Sequence, residues 1–164
     1  MNQESLVLFD VDGTLTEARQ AIQTPMIKRN CHLLPCNGTE YLVPTEDKEI
    51  AFHTVAANSM IKKMGAPEFN KLMSMLCDLQ SRVSLNYPIP LSGHFIQNRE
   101  SMVNWCPIGR NATTEQRKEF ELLDKEHRIR LKYMSLLSDA IKDLGLTVKL
   151  GGDTSFDIYP CGWD

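Results

Sequence analysis

The apolar positions along the chain alternate between short runs typical of strands and longer stretches with helical spacing. Runs of this kind, bounded by polar turns, predict strands and hairpins. The predicted strands are Leu6–Phe9, Tyr41–Val43, Ile50–Phe52, Phe95–Ile96, Met102–Trp105, Leu146–Leu150 and Ser155–Tyr159.

Three helices are predicted between these strands. The first runs from about Pro67 to Val83, with proline in the first turn and Phe69, Leu72, Met73, Leu76, Leu79 and Val83 at helical spacing. Thr113 and Gln116 form a predicted capping box that opens a second helix through Leu122. The third ends at Gly145, and its predicted apolar side comprises Ile129, Tyr133, Leu136, Leu137, Ala140, Ile141 and Leu144.

Composition excludes several classes of protein. The chain has 164 residues, enough for one domain or two small ones, and a formal net charge of -3. Without a basic excess, a nucleic-acid partner is not expected, and any affinity for phosphate must come from local arginines. The five cysteines include no CxxC pair, so reduced thiols are expected rather than disulfides or a zinc site. With neither a secretory signal nor a membrane-spanning run, a cytoplasmic location is expected, with no membrane partner.

Asp10-Val11-Asp12-Gly13-Thr14 follows the first apolar strand and carries the candidate chemistry. Asp10 could attack a phosphoryl group and form an aspartyl-phosphate. Asp12, two residues on, could protonate the leaving oxygen and later deprotonate an acceptor hydroxyl. Mg²⁺, bound by Asp10 and Asp12, would offset the charge of carboxylate and phosphate. The plainer alternative is a polar turn, because Asp-Gly is common in turns.

The full string Leu8-Phe9-Asp10-Val11-Asp12-Gly13-Thr14-Leu15-Thr16 resembles motif one of the haloacid dehalogenase superfamily. Further strings resemble, in order, segments of the eukaryotic-type phosphomannomutases. They are Leu15 to Gln20, Pro35 to Gly38, Pro107 to Arg110, Glu115 to Phe120 and Gly151 to Asp164. Any one of these matches is weak, whereas their common order over nearly the whole chain is specific.

The resemblance implies an α/β haloacid-dehalogenase-like core, here incomplete, with an α+β cap domain built on an antiparallel sheet. Residues 1–32 would be the N-terminal part of the core, 33–157 the substrate-binding cap and 158–164 the start of the return to the core. It also implies Mg²⁺ as cofactor, hexose phosphates and a hexose bisphosphate as ligands, and a homodimer formed through the cap.

The same resemblance implies roles for individual residues. Asp10 would be the nucleophile and Asp12 the general acid and base. The residues implied to bind the substrate are Arg19, Arg99, Asn104, Arg110, Arg117, Ser155 and Asp157. Arginine suits this role because its planar fork bonds phosphate oxygens in pairs, although each arginine could equally be a solvated surface charge. Arg99 carries that alternative most strongly, since Glu100-Ser101 replaces the family's Asn-Gly turn.

The resemblance also has gaps. Relative to the family, a stretch of core between Met26 and Ile27 has no counterpart, and the family's lysine and acidic Mg²⁺-binding loop would follow Asp164. An incomplete or alternatively spliced product, a split gene and a remodelled relative all fit this pattern. The leading hypothesis is interconversion of mannose 6-phosphate and mannose 1-phosphate. The alternatives are a sugar-phosphate-binding or dimerising module without catalysis, and a sugar phosphatase.

Overall fold

A computed structural model describes residues 31–35, 39–45 and 52–163 of the chain. The strands are β1 (Glu40–Pro44), β2 (Phe52–Ala57), β3 (Ile96–Asn98), β4 (Val103–Trp105), β5 (Leu146–Gly151) and β6 (Ser155–Pro160). The helices are α1 (Met60–Met64), α2 (Ala66–Asn86), α3 (Thr114–His127) and α4 (Ile129–Ile141), and a 3₁₀ turn covers Lys142–Leu144.

The chain divides into two compact units. One comprises Met1–Leu33 with Tyr41–Val55, and the other comprises Leu34–Glu40 with Ala56–Asp164. In the first unit, Leu33 and Leu42 exchange two backbone hydrogen bonds of 2.9 Å. β1 and β2 form a two-stranded sheet. The second unit holds the larger sheet and all the helices of the described part of the chain.

The larger sheet is antiparallel throughout, with strand order β3-β4-β6-β5. Trp105 lies opposite Phe156 and Val103 lies opposite Ile158, and all four side chains are completely buried. The Trp105 and Phe156 rings stack at 4.6 Å between centroids. Because side chains alternate along a strand, the residue between each such pair must face the other side of the sheet.

Helices α2 and α4 supply the other half of the core. α2 buries Phe69, Leu72, Leu76, Leu79 and Val83, and α4 buries Ile129, Tyr133, Leu137 and Ile141. These residues form one cluster with the four apolar side chains of β4 and β6. The two helices therefore cover the apolar face of the sheet and leave its opposite face to polar side chains.

Several predicted elements are confirmed. α2 contains the predicted span, with its proline in the first turn, and five of the six predicted apolar residues are buried while Met73 is half-buried. The capping box forms as predicted: Thr113 Oγ1 accepts from the Gln116 amide at 3.3 Å, and Gln116 Oε1 accepts from the Thr113 amide at 2.9 Å. Gly145 follows the 3₁₀ turn in a left-handed conformation, at φ 66°. The strand predicted at Leu6–Phe9 lies outside the described residues, as do Ile50 and Ala51.

Two expectations about the helices are wrong. α3 does not end at Leu122 but continues to His127, because no glycine or proline interrupts it before Arg128 takes up a left-handed conformation. Leu136 and Ala140 do not belong to the apolar side of α4, and Leu136 is 51% exposed. The buried residues of α4 recur every four positions, and Leu136 and Ala140, three positions after Tyr133 and Leu137, lie beside that stripe on its exposed edge.

Candidate active site: the polar face of the sheet

A row of polar residues crosses the open face of the larger sheet. The antiparallel register places Gln97 opposite Asn104, Asn104 opposite Asp157, and Asp157 opposite Lys149. Each of the four strands therefore contributes one residue to the row. This alignment follows from strand alternation, since their neighbours on β4 and β6 face the core.

Asn104 is the central connection of this row and is only 2% exposed. Its Nδ2 donates to Asp157 Oδ1 at 2.7 Å and to the Phe156 carbonyl at 3.3 Å. Its Oδ1 accepts a hydrogen bond from Arg110 Nη1 at 3.1 Å. One buried amide thus holds a guanidinium on one side and a carboxylate on the other.

Arg110 is placed by a tight turn just after β4. Gly109 adopts φ 85°, and a Cβ there would collide with the Gly93 carbonyl oxygen. The Arg110 amide donates to the His94 carbonyl at 3.2 Å, and Ser92 binds the Ile108 carbonyl through both its amide and its hydroxyl. Only glycine fits such a close approach with positive φ, so Gly109 fixes the backbone from which Arg110 extends.

Arg117, in the first turn of α3, uses all three guanidinium nitrogens on neighbouring oxygens. Nε donates to the Ala112 carbonyl at 3.2 Å, Nη1 to Thr154 Oγ1 at 2.9 Å and Nη2 to the Arg110 carbonyl at 3.0 Å. These bonds tie the start of α3 both to the Arg110 backbone and to the β5–β6 turn. The capping box at Thr113 and Gln116 fixes the same helix end.

Arg99 lies in the β3–β4 hairpin, and its Nε donates to Gln97 Oε1 at 3.1 Å. The hairpin forms despite the substitution of the expected Asn-Gly turn. Glu100 adopts the left-handed conformation, at φ 58°, and Ser101 is fully buried with its Oγ accepting from Thr39 Oγ1 at 2.6 Å. The hairpin therefore keeps Arg99 beside the polar row.

Ser155 and Asp157 approach the row from β6. Ser155 Oγ donates to the Gly151 carbonyl at 2.6 Å. A Cβ at Gly151 would lie only 2.6 Å from Asp157 Oδ2, so the absence of a side chain there makes room for the carboxylate. β5 ends at Gly151 and β6 begins at Ser155, and the stretch Gly151–Ser155 is called the β5–β6 turn.

The structure therefore brings together six of the residues predicted to bind substrate. Asn104 is directly hydrogen-bonded to both Arg110 and Asp157. Arg99 joins the row through Gln97, Arg117 through the Arg110 carbonyl, and Ser155 lies at the start of β6. Asp10, Asp12 and Arg19 lie outside the described residues.

Three residues were missed by sequence reasoning: Gln97, Thr154 and Gly151. The register that places Gln97 in the row could have been anticipated from the hairpin prediction and strand alternation. Nothing in the sequence indicates that Thr154 accepts from Arg117 or that Gly151 faces a carboxylate, because both contacts depend on how the β5–β6 turn meets α3.

The arrangement suits an anion. Arg110 bonds Asn104 of the polar row, Arg99 bonds Gln97 of the same row and Arg117 bonds the Arg110 carbonyl. Planar guanidinium forks bind phosphate or carboxylate oxygens strongly. Asp157 adds a partly buried carboxylate to the same face, held by the Asn104 amide. Within residues 31–35, 39–45 and 52–163, no group of three His, Cys, Asp or Glu side chains could hold a metal ion. The four cysteines of that part, Cys31, Cys77, Cys106 and Cys161, are not in disulfides.

Comparison with known proteins gives the class of this α/β chain with antiparallel sheets. The family model described as eukaryotic phosphomannomutase matches residues 37–164. Phosphomannomutase from Saccharomyces cerevisiae is 36% identical over 186 aligned residues, covering 98% of this chain and 72% of its own length. Phosphomannomutase from Schizosaccharomyces pombe is 35% identical, and the alignment covers 98% of this chain and 72% of that protein. Phosphomannomutase 2 from Dictyostelium discoideum is 31% identical, and the alignment covers 99% of this chain and 74% of that protein.

The chain therefore belongs to the eukaryotic phosphomannomutase family. The alignment with the Saccharomyces protein is longer than the 164 residues of this chain, so that relative has residues within the aligned region that this chain lacks. Among the described residues, no helix is both long and apolar enough to cross a membrane.

Proposed function

We propose that this chain catalyses the phosphomannomutase reaction, interconverting mannose 6-phosphate and mannose 1-phosphate for GDP-mannose synthesis. The observation that carries the proposal is the bonded group of Arg110, Asn104 and Asp157 on the open face of the sheet. Arg110 offers a cation for a phosphate, and Asn104 and Asp157 offer a neutral and an anionic acceptor for a sugar. The names of the relatives supply the reaction, and the site supplies the binding chemistry.

The chemical steps would use Asp10 and Asp12. Asp10, carrying a phosphoryl group, would give it to the free hydroxyl of the bound hexose phosphate, while Asp12 removes the hydroxyl proton. The resulting hexose bisphosphate would then turn end for end. Asp10 would attack its other phosphorus atom, the phosphorus–oxygen bond to the sugar would break, and Asp12 would return the proton to the leaving oxygen.

The arginines would hold the phosphate that is not reacting. Arg99, Arg110 and Arg117 suit this role because a guanidinium remains charged and offers paired donors at any physiological pH. Asn104, Ser155 and Asp157 would contact the sugar or the same phosphate, and Arg19 the substrate from the core side. Since the arginines would bind the phosphate at either end of the hexose bisphosphate, one site would serve both of its orientations.

Mg²⁺ is proposed as the cofactor, held by Asp10 and Asp12. The Asp10 carboxylate and the Asp12 backbone carbonyl would supply the hard oxygen ligands that Mg²⁺ prefers. When bound, the ion would lower the electrostatic cost of bringing a carboxylate to a phosphate. The proposal extends to a haloacid-dehalogenase-like core in residues 1–32, a cap in residues 33–157, a homodimer through the cap and a cytoplasmic location.

The test is conversion of mannose 6-phosphate by the full chain, with Mg²⁺ and a catalytic amount of hexose bisphosphate. Asp10→Asn should abolish turnover. Arg110→Ala should reduce kcat/KM by roughly 10- to 100-fold, the effect of losing a hydrogen bond to a charged group. Arg82→Ala is the matched control, because Arg82 pairs with Asp78 on the exposed side of α2, with side chains 61% and 55% exposed.

The proposal fails if the wild-type chain produces no mannose 1-phosphate under these conditions. Release of inorganic phosphate in place of isomerisation would instead indicate a sugar phosphatase. The arginines favour a phosphorylated acceptor over water.

A binding module without catalysis is the second candidate. It is favoured by the length of the alignment with the Saccharomyces protein, 186 residues against the 164 of this chain, which means that this chain lacks residues present in that relative. This function predicts mannose 6-phosphate binding, measured by calorimetry, that survives Asp10→Asn and weakens with Arg110→Ala. Equal affinity of wild type and Arg110→Ala would exclude it.

A further inference from the structure

Asp124 and Arg130 form a tight ion pair at the junction of α3 and α4. Arg130 Nε donates to Asp124 Oδ2 at 2.7 Å, and the Arg130 amide donates to Asp124 Oδ1 at 2.7 Å. Their side chains are only 15% and 13% exposed. Both carboxylate oxygens are therefore engaged by one residue, which fixes the direction in which the Arg130 guanidinium extends.

The guanidinium extends to the β5–β6 turn. Arg130 Nη1 donates to the Gly152 carbonyl at 2.7 Å. Gly152 is exposed and left-handed, with φ 53°, and no atom lies close to where its side chain would be. Gly152 therefore depends on this hydrogen bond for a fixed position, whereas Thr154, two residues on, is also contacted by Cys106 Sγ at 3.6 Å.

The same turn carries the acceptor of Arg117. Thr154 Oγ1 accepts from Arg117 Nη1 at 2.9 Å, and Thr154 is itself 4% exposed. Arg117 and Asp124 are seven residues apart on α3, which places them on the same side of the helix. Helix α3 therefore contacts the β5–β6 turn at two points: directly through Arg117, and two turns further along through Asp124 and Arg130.

We propose that Arg130 is a positioning residue for the hexose-phosphate site, holding the β5–β6 turn so that Thr154 orients the Arg117 guanidinium. The inference rests on the proposed function for the identity of the ligand. Arg130 acts through the Gly152 carbonyl and does not touch the substrate. Asp124 contributes by neutralising the charge of Arg130 and by orienting its guanidinium group.

A purely structural role for the ion pair makes a different prediction. In that case Arg130→Ala lowers the free energy of unfolding without changing the properties of the folded site. A positioning role changes the Arg117 side chain in the folded protein. The experiment therefore measures the hydrogen exchange of ligand-free Arg117 Nη1–H by NMR, together with the dissociation constant for mannose 6-phosphate per folded molecule.

The variants are Arg130→Ala, Asp124→Asn and Thr154→Val, each in the full chain, with Arg82→Ala as the control for loss of an Arg–Asp pair. Arg130→Ala should weaken mannose 6-phosphate binding about tenfold, the effect of one hydrogen bond near the upper end of its usual range. It should also accelerate exchange at Arg117 Nη1–H, which donates to Thr154, severalfold. Asp124→Asn, which keeps a neutral acceptor, should give smaller changes of the same sign and serves if Arg130→Ala does not fold.

Thr154→Val tests the route. It removes the Arg117 acceptor while leaving the ion pair intact, so Arg130→Ala added to it should weaken binding little further. Unchanged affinity and unchanged Arg117 exchange in Arg130→Ala and Asp124→Asn would overturn the inference. Multiplicative effects of Arg130→Ala and Thr154→Val would overturn the route through Thr154.

The two proposals fail in different ways. If the wild type does not bind mannose 6-phosphate, the proposed function fails, and the ligand-free exchange at Arg117 still decides the role of Arg130. If Arg110→Ala weakens binding while Arg130→Ala changes neither affinity nor exchange, the site stands and the positioning role is wrong.

Discussion

Asn104 and Asp157 face each other on adjacent antiparallel strands, joined by a 2.7 Å hydrogen bond from the amide to the carboxylate. The amide carbonyl of Asn104 meanwhile accepts from Arg110. An amide can do both because it carries a donor and an acceptor on one plane. No carboxylate or ammonium side chain could make the two contacts at once.

Replacing Asn104 with aspartate should therefore be costly. Asn104→Asp keeps the shape but removes the donor, and it places a buried carboxylate opposite the partly buried carboxylate of Asp157. We expect the free energy of unfolding at pH 7 to fall by about 1–3 kcal/mol. Urea unfolding measures this, and Gln97→Glu provides the same change in charge at an exposed position of the row. Equal losses in the two variants would contradict the role assigned to the Asn104 donor.

Gly151→Ala should disturb the site by steric means. The new Cβ would lie 2.6 Å from Asp157 Oδ2 and 3.0 Å from Ser155 Oγ, so the carboxylate must move. We expect loss of the Asn104–Asp157 hydrogen bond and about 1–3 kcal/mol lower stability, in the range for overpacking. Adding Asp157→Ala to Gly151→Ala should recover part of the loss. No recovery would show that the carboxylate is not what the methyl group displaces.

Glu100→Asn should stabilise the protein. Glu100 adopts a left-handed backbone conformation, which asparagine tolerates better than glutamate. We expect the free energy of unfolding to rise by about 0.5–1 kcal/mol, with no loss of hexose-phosphate affinity, because Glu100 is exposed at the tip of the hairpin. Glu100→Gln is the control, since it removes the charge but keeps the strain. A gain in the glutamine variant equal to that in the asparagine variant would assign the effect to charge instead.

Acid should weaken α3 at its first turn. A backbone hydrogen bond at Glu115, with a further contribution from the Thr113 side chain, lowers the pKa of Glu115 below its usual value of 4.5. A depressed folded-state pKa means that the stabilisation is complete above pH 4.5 and is lost as pH falls through the lower, folded-state value. Urea unfolding between pH 7 and pH 3 should therefore show a smaller acid-induced loss in Glu115→Gln than in wild type.

The control for this effect is Glu119→Gln, which alters an exposed glutamate further along the same helix. Its pH profile should follow that of the wild type more closely than the profile of Glu115→Gln does. Thr113→Ala should also reduce the loss of stability between pH 7 and pH 3. In addition, it should lower stability by about 1 kcal/mol at neutral pH, because the helix cap is lost.

The sequence predicted the elements whose signals are local. The α2 stripe, the Thr113–Gln116 capping box and the closing glycine at Gly145 each depend on residues close together in the chain, and the structure contains all three. The end of α3 was not predictable in this way. The prediction ended it at Leu122, whereas the helix stops only where Arg128 leaves the helical backbone conformation.

The candidate site was predictable in membership but not in connection. The arginines and Asn104 were identified through the resemblance, yet which carboxylate Asn104 would meet depends on the register of strands far apart in sequence. The same holds for Thr154 and Gly152, whose contacts with Arg117 and Arg130 exist only once α3 packs against the β5–β6 turn. The roles of Asp10, Asp12 and Arg19 stay predictions.

Arg128 is both the C-cap of α3 and the N-cap of α4, so a single left-handed residue separates the two helices. Each residue added to a helix rotates everything beyond it by about 100°. An insertion or deletion at this corner would turn Ile129, Tyr133 and Leu137 away from the core and swing Arg130 off Gly152. Chain length here is consequently as constrained as residue type. Natural variation should change the residue types at positions 125–128 but not the number of residues.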